Sequence, residues 1–197
     1  TQAFAPIAGV PVATGALPKA VAVDPSGRYV YVVSAVDNNV SAHKVDPATG
    51  ALAPIAGSPF TTNGGTPTGM VIDRGGRYLY VSNFRSNTTS VGTVAAFAID
   101  RATGALTHIA GSPFPVFDGD VVDGISALAL TPDGRFLFTL GYSLTTFSVD
   151  AASGALKRIA KRGTIYAGSV AVDPTGRFLY ASDSFLNAVD GFAIGAD

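Results

Sequence analysis

Asp24-Pro25-Ser26-Gly27-Arg28-Tyr29-Val30-Tyr31-Val32 is the stretch that decides the fold. Proline presets φ for the second position of a turn, a short polar residue follows, and glycine takes the left-handed conformation that completes a bulged hairpin. The same turn returns as Asp73-Arg74-Gly75-Gly76-Arg77, Thr131-Pro132-Asp133-Gly134-Arg135 and Asp173-Pro174-Thr175-Gly176-Arg177. Before each stands an apolar run interspersed with small residues, such as Ala20-Val21-Ala22-Val23, and after each a bulkier one, such as Tyr78-Leu79-Tyr80-Val81. A second turn alternates with the first: Asp46-Pro47-Ala48-Thr49-Gly50-Ala51-Leu52, echoed from Asp100 to Leu106 and from Asp150 to Leu156.

Two alternating hairpin turns define a repeat of four strands. Strands apolar on both faces suit a sheet sandwiched between neighbouring sheets, and the rise in bulk from one strand to the next suits a wedge that narrows toward an axis. Gly, Pro and β-branched residues interrupt every window long enough for a helix. The expected fold is all-β: a β-propeller of four-stranded antiparallel blades in four repeats. It forms a single domain over 1–197, with blades at approximately 18–60, 67–114, 124–163 and 167–197 plus 1–10.

Thr1-Gln2-Ala3-Phe4-Ala5-Pro6-Ile7-Ala8-Gly9 aligns without a gap on Thr49 to Gly57, the last strand of a repeat, and Phe192 to Asp197 aligns on the end of a third strand. An unpaired sheet edge invites pairing. The N-terminal strand is therefore expected to complete the last blade, within the chain or between chains. The options are a closed four-bladed ring, a two-chain ring of eight blades, a head-to-tail polymer, or a fragment of a longer propeller.

With 47% hydrophobic residues the 197-residue chain can bury a core. Thirteen Lys and Arg against fourteen acids leave a net charge of −1, so nucleic acid is not an expected partner. Every acid is Asp and none is Glu, as expected where carboxylates serve mainly in turns. The chain has no Cys, which excludes disulfide and thiolate chemistry, and no apolar run reaches the length of a membrane span. It opens at Thr1 without an initiator Met or basic leader, so the start reads as processed or excised.

The D-P-x-G-R turn, the Tyr29-Val30-Tyr31-Val32 strand, the D-x-A-T-G-A-L turn and the segments Ile55-Ala56-Gly57-Ser58-Pro59-Phe60 and Ile109-Ala110-Gly111-Ser112-Pro113-Phe114 resemble those of bacterial lactonase-type β-propellers, the 6-phosphogluconolactonase-like and YVTN-repeat proteins. The likeness runs along essentially the whole chain. It implies the fold and an extracellular or periplasmic bacterial location, with no signal present in this chain. The family commonly has seven blades, and its enzymes carry His, Arg or Glu at the channel mouth. Here the entries to the four innermost strands are Pro18-Lys19, Pro67-Thr68, Gly124-Ile125 and Ala167-Gly168, without His or Glu.

Ligands of such folds dock on the face shared by the loops that join second to third and outermost to innermost strands. Lys19, Asp37, Asn38, Asn83, Arg85, Tyr142, Tyr166 and Asp183 fall on those loops or strand ends, where they could bind a small polar ligand or sugar, or else serve as rim and turn residues. Asp118, Asp120 and Asp123, in the longest insertion, could offer oxygens to a hard cation such as Ca²⁺, though without the spacing and bidentate Glu of a calcium loop; a solvated acidic loop is the first reading of the same residues, because such short acidic patterns match by accident. No other cofactor is expected. His43 and His108 fall on outer strands, away from any channel, and a Ser-His-Asp site has little support. Lys157, Arg158, Lys161 and Arg162 read as charges that protect an outer strand.

Because the recurring residues are turn and core residues, the leading expectation is an exported, non-catalytic binding or interaction scaffold, with a small polar ligand or a protein as partner. The alternatives are a lactone hydrolase, assisted by a metal or by Arg85 and Lys19, and a structural polymer that self-associates through its N-terminal strand.

Overall fold

The structure, a computed structural model, describes residues 5–7, 9, 11–86, 91–116, 124–164 and 168–195, with the side chain of residue 164 excepted. Among the described residues, seventeen strands form four antiparallel sheets. The first contains β1 (Pro18–Val23), β2 (Tyr29–Ser34), β3 (Asn39–Val45) and β4 (Leu52–Pro54) in that order, with β5 (Phe60–Thr61) also on β3. The second runs β6 (Gly64–Ile72), β7 (Tyr78–Ser86), β8 (Thr93–Ile99), and both β9 (Leu106–His108) and β10 (Phe114–Pro115) pair with β8. The third is β11 (Ala127–Leu130), β12 (Phe136–Leu140), β13 (Ser143–Val149) and β14 (Leu156–Thr164). The fourth has three strands, β15 (Val170–Val172), β16 (Phe178–Asp183) and β17 (Ala188–Ala193).

Both turn types form for the reasons their residues suggest. The Asp24 carbonyl accepts from Gly27 N at 2.8 Å with Gly27 at φ 71°, and Oδ1 of Asp24 accepts from Arg28 N and Tyr29 N at 2.8 and 2.7 Å. One carboxylate thereby satisfies backbone donors that the tight turn leaves without a ladder partner. Where the third repeat has Thr131 instead of Asp, its hydroxyl accepts from Phe136 N at 3.0 Å and donates to Asp133 at 2.6 Å. In the second turn type, Asp46 Oδ1 accepts from Ala48 N and Thr49 N at 3.0 and 2.8 Å.

The I-A-G-S-P-F segments are also architectural. After β4 the chain swings away from β3 at Gly57 (φ 82°) and returns as β5, and the Ser58 hydroxyl accepts from Ala42 N at 2.9 Å across the gap. Ser112 does the same for Ala96 N at 2.9 Å. A side-chain oxygen replaces the ladder carbonyl that the excursion removes, so the buried N–H stays paired.

The core lies between sheets. Tyr29, Tyr31, Val33, Val40 and Ala42 of the first sheet pack on Leu79, Val81, Ala95 and Phe97 of the second. The opposite face of the second, with Tyr78, Tyr80, Val94 and Ala96, packs on Leu137, Phe147 and Leu156 of the third. Phe138, Leu140 and Leu144 then meet Leu179 and Ala181 of the fourth. Innermost strands stand side by side in the order β1, β6, β11, β15, forming an arc whose outer faces remain in solvent: Val21 and Val23 at one end, Phe178, Tyr180 and Val189 at the other.

Completion of the last blade by the N-terminal strand within one chain is therefore not what the described residues show. The fourth sheet has three strands, while Ile7 lies at the far end of the arc, beside Gly50 of the first sheet. Among the described residues the arc does not close on itself: Val21 and Val23 at one end and Phe178, Tyr180 and Val189 at the other are exposed.

Candidate functional site

The rim formed by the second-to-third-strand loops and the entries to the inner strands carries three of the candidate residues, Asp37, Asn38 and Arg85. Asn38, at φ 53°, accepts from Thr66 N through Oδ1 at 2.7 Å and from Thr62 N through its carbonyl at 2.9 Å, tying the first sheet's loop to the entry of β6. Opposite that entry, Gly65 pairs with Arg85 on β7 so closely that a Cβ on Gly65 would lie 3.0 Å from Arg85 Cγ. Asn38, Thr66 and Arg85 thus share one stretch of rim, with the Arg85 side chain exposed. Asp37, the exposed neighbour of Asn38, uses Oδ2 to accept from Ala16 N at 2.7 Å.

Of the other expected residues, Asn83 and Asp183 take structural positions. Asn83 is fully buried, its Nδ2 donating to Thr93 Oγ1 at 3.2 Å. Asp183 accepts from Phe185 N and Leu186 N at 2.8 and 2.9 Å, which fixes the turn after β16. Lys19 sits at the irregularity in β1 between Pro18 and Ala20 and faces solvent, and Tyr142 is exposed in the turn after β12. Tyr166, Asp118, Asp120 and Asp123 lie outside the described residues. Among the described residues no group of three or more His, Cys, Asp or Glu side chains is arranged to hold a metal.

Carboxylates elsewhere are held by their turns. Burial raises the pKa of Asp24, but the Ser26 hydroxyl and the N–H groups of Tyr29, Ser26 and Arg28 outweigh it and leave the group below its usual value. The Thr175 hydroxyl is the main cause that brings Asp173 down to about 2. Asp46 and Asp150 are lowered chiefly by the hydroxyls of Thr49 and Ser153, and Asp100 chiefly by the N–H of Ala102. Such groups remain ionised and engaged, which suits architecture and not proton transfer at neutral pH.

Two features were not legible from sequence spacing. His108 bridges the first two sheets: Nε2 lies 3.0 Å from the Thr61 carbonyl, Nδ1 lies 3.1 Å from Ser112 Oγ, and the ring packs 4.3 Å from that of Phe97. On the opposite face, each D-P-x-G-R arginine stacks on the aromatic residue that follows it, Arg28 on Tyr29 and Arg77 on Tyr78 at 5.4 and 5.0 Å. Arg28 and Arg77 then reach across to the carbonyls of Arg101 and Ala151 in the next sheet. The recurrence of Arg after glycine was the available signal, and its role is to join blades.

Radially stacked antiparallel sheets of three to five strands among the described residues, with repeated turns of one kind, define a β-propeller. The family described as Lactonase, 7-bladed beta-propeller matches residues 6–122 and 92–197, and the chain belongs to it. A solved structure of the Pseudomonas aeruginosa periplasmic gluconolactonase is 26% identical with a TM-score of 0.72, over 90% of this chain and 50% of that one. A putative 6-phosphogluconolactonase of Bacteroides fragilis is 20% identical with a TM-score of 0.78, over 90% and 51%. One from Bacteroides uniformis is 17% identical with a TM-score of 0.77, over 91% and 51%. This chain therefore spans about half the length of these relatives. No curated protein sequence matches it.

Proposed function

We propose that the chain hydrolyses a lactone, with a sugar lactone bound over the rim at Asn38, Thr66 and Arg85. The observation that carries this reading is the family match, which extends from residue 6 to residue 197 and so includes both the rim and the sheets that support it. Arg85 supplies a permanent cation for the carbonyl oxygen as it becomes an oxyanion, and Lys19 supplies a second charge on the same face. Asp37 has one oxygen fixed by Ala16 N, and its other oxygen orients water. Water adds to the carbonyl carbon and passes its proton to Asp37; the ring C–O bond then breaks, and the departing oxygen takes the proton to give the hydroxy acid. An exported setting and a role for Ca²⁺ at Asp118, Asp120 and Asp123 are parts of this proposal that mutation and chelation can test separately.

The test is a screen of sugar and acyl lactones for saturable ring opening above the spontaneous rate. One observation favours the second reading, a binding scaffold without catalysis. Asp24, Asp46, Asp73, Asp100, Asp133, Asp150, Asp173 and Asp183 all spend their carboxylates on their own turns. Saturable lactone binding with no turnover would select that reading.

A further inference from the structure

We propose that the seam between the first and second sheets binds a phosphate monoester through Arg28, Arg74 and Arg101, on the face opposite the rim. A cavity of about 300 Å³ lies there between the Asp24–Arg28 turn, which joins β1 to β2, and the Asp73–Arg77 turn, which joins β6 to β7. Asp24, Arg28, Tyr29, Arg74, Ile99 and Arg101 line it. These turns, with the Asp100 turn between β8 and β9, lie at the end of the sheets remote from the Asn38 loop between β2 and β3. The site is therefore separate from the lactone rim and does not depend on it.

Two of the three arginines are departures from the repeat. The second position of the first turn type is Pro25, Pro132 and Pro174 in the other sheets and Arg74 here. The residue after Asp in the second turn type is Pro47 and Ala151 in the other copies and Arg101 here. Neither arginine is needed to form its turn. Asp73 accepts from Arg77 N and Tyr78 N at 2.6 and 2.7 Å, and Asp100 accepts from Ala102 N at 2.8 Å, all through backbone donors. Two separate turns thus each bring an extra guanidinium to one seam. At the next seam the corresponding cavity, about 150 Å³, has Pro132 and Ala151 in those places.

The charges there are not balanced from within. Asp24 is the one carboxylate lining the cavity, and its oxygens already accept from the N–H groups of Ser26, Arg28 and Tyr29 and from the Ser26 hydroxyl. Asp73, on the neighbouring turn, lies 3.6 Å from Arg77. Among the described residues the Arg74 and Arg101 guanidinium groups have no hydrogen-bond or ion-pair partner. Arg28 is held in place: Nε donates to Ser26 Oγ at 3.1 Å, Nη2 donates to the Arg101 carbonyl, and the group stacks on the Tyr29 ring at 5.4 Å. Its Nη1 donors remain for a ligand. Like charges gathered round one space repel, and an anion between them turns that repulsion into attraction.

The shape of the seam selects the anion. A phosphate monoester carries nearly two charges at neutral pH and three terminal oxygens, which suit several guanidinium forks at once, whereas a carboxylate offers one charge and two oxygens. The cavity is roomier than inorganic phosphate requires, and buried Tyr29 and Ile99 give it an apolar floor for the organic part of the ester.

Calorimetric titration of the full chain with phenyl phosphate, inorganic phosphate, phenol and benzoate tests the assignment. Phenyl phosphate should bind at one saturable site that weakens as salt rises, inorganic phosphate should bind there less tightly, and phenol should not bind. Arg74→Pro and Arg101→Ala install residues that other repeats already carry at those positions, so both variants should fold. Each should weaken phenyl phosphate binding at least about tenfold, and the double variant should lose it. Because the ligand bridges two sheets, it should raise the thermal midpoint of the native chain and not that of the double variant. Lactone turnover should be unchanged in the double variant, and phenyl phosphate affinity should be unchanged in Arg85→Ala. No saturable binding of phenyl phosphate, affinity untouched in the double variant, loss of binding in Arg85→Ala instead, or benzoate or inorganic phosphate bound as tightly as the ester would each overturn the proposal.

Discussion

The phenol of Tyr80 donates to the carbonyl of Gly154, 2.9 Å away, across the seam between the second and third sheets. Tyr31 makes the same bond to Gly104 at 2.9 Å across the seam before it. Both phenols are fully buried, and desolvation pushes their pKa well above the ordinary tyrosine value, so they remain donors throughout the accessible pH range. Removing either hydroxyl leaves a buried carbonyl without its partner. Tyr80→Phe and Tyr31→Phe should each cost about 1–2 kcal/mol in denaturant unfolding, with little change in slope.

The glycines under those aromatic residues differ in what surrounds them. Gly154 has φ 73°, and a Cβ there would come 2.5 Å from Tyr78 Cδ1 and 2.8 Å from Ile109 Cδ1. Gly27 has nearly the same φ, 71°, but nothing within 4 Å. Gly27→Ala should therefore cost only the conformational strain, about 1 kcal/mol, whereas Gly154→Ala must also push two sheets apart and should cost more than about 3 kcal/mol. Thermal unfolding of the two variants side by side measures the difference.

Ser58 and Ser112 each replace a ladder carbonyl, at Ala42 N and Ala96 N. Replacing either serine by Ala should cost about 1–2 kcal/mol, and Ser112→Ala should cost more because its hydroxyl also meets His108 Nδ1. Hydrogen exchange at the Ala96 amide should accelerate in Ser112→Ala and stay slow in Ser58→Ala.

Acid should unfold the protein through its turns. For Asp24, Asp46, Asp100, Asp133, Asp150 and Asp173 the folded pKa lies below the unfolded value, so the unfolded chain binds protons first as pH falls. Their contribution is complete above the unfolded carboxyl value of about 3.9 and is lost as pH drops toward the folded values, about 2 for Asp173. Thermal midpoints should fall steeply between these limits. Asp173→Asn and Asp24→Asn should be less stable at neutral pH and show a shallower acid limb.

Turn chemistry and strand order were legible because they rest on local rules. Asp24, Gly27 and Arg28 announce a hairpin wherever they occur together, and alternation within Tyr29-Val30-Tyr31-Val32 marks the two faces of a strand. Seam contacts such as Tyr80 to Gly154 join residues far apart in the chain, and nothing near either residue signals the other. The rim was legible only as a location. Asp183 and Asn83 fell among the candidate rim residues, but the local backbone claims the Asp183 carboxylate and buried Asn83 Nδ2 donates to Thr93. The end strand was recognised by its likeness to residues 49–57, yet its neighbour depends on how sheets pack, which the matching of ends does not specify.

The functional account stands or falls on lactone turnover by the intact chain. The direct measurement is proton release on ring opening of gluconolactone and a panel of related sugar lactones, with spontaneous opening subtracted, for the native chain, Arg85→Ala and Asp37→Ala. The account predicts saturable turnover that falls by about 10²-fold or more when Arg85 is removed, chiefly in kcat, since the cation acts on the oxyanion. A rate equal to the spontaneous one at every concentration, or turnover untouched in both variants, would contradict it.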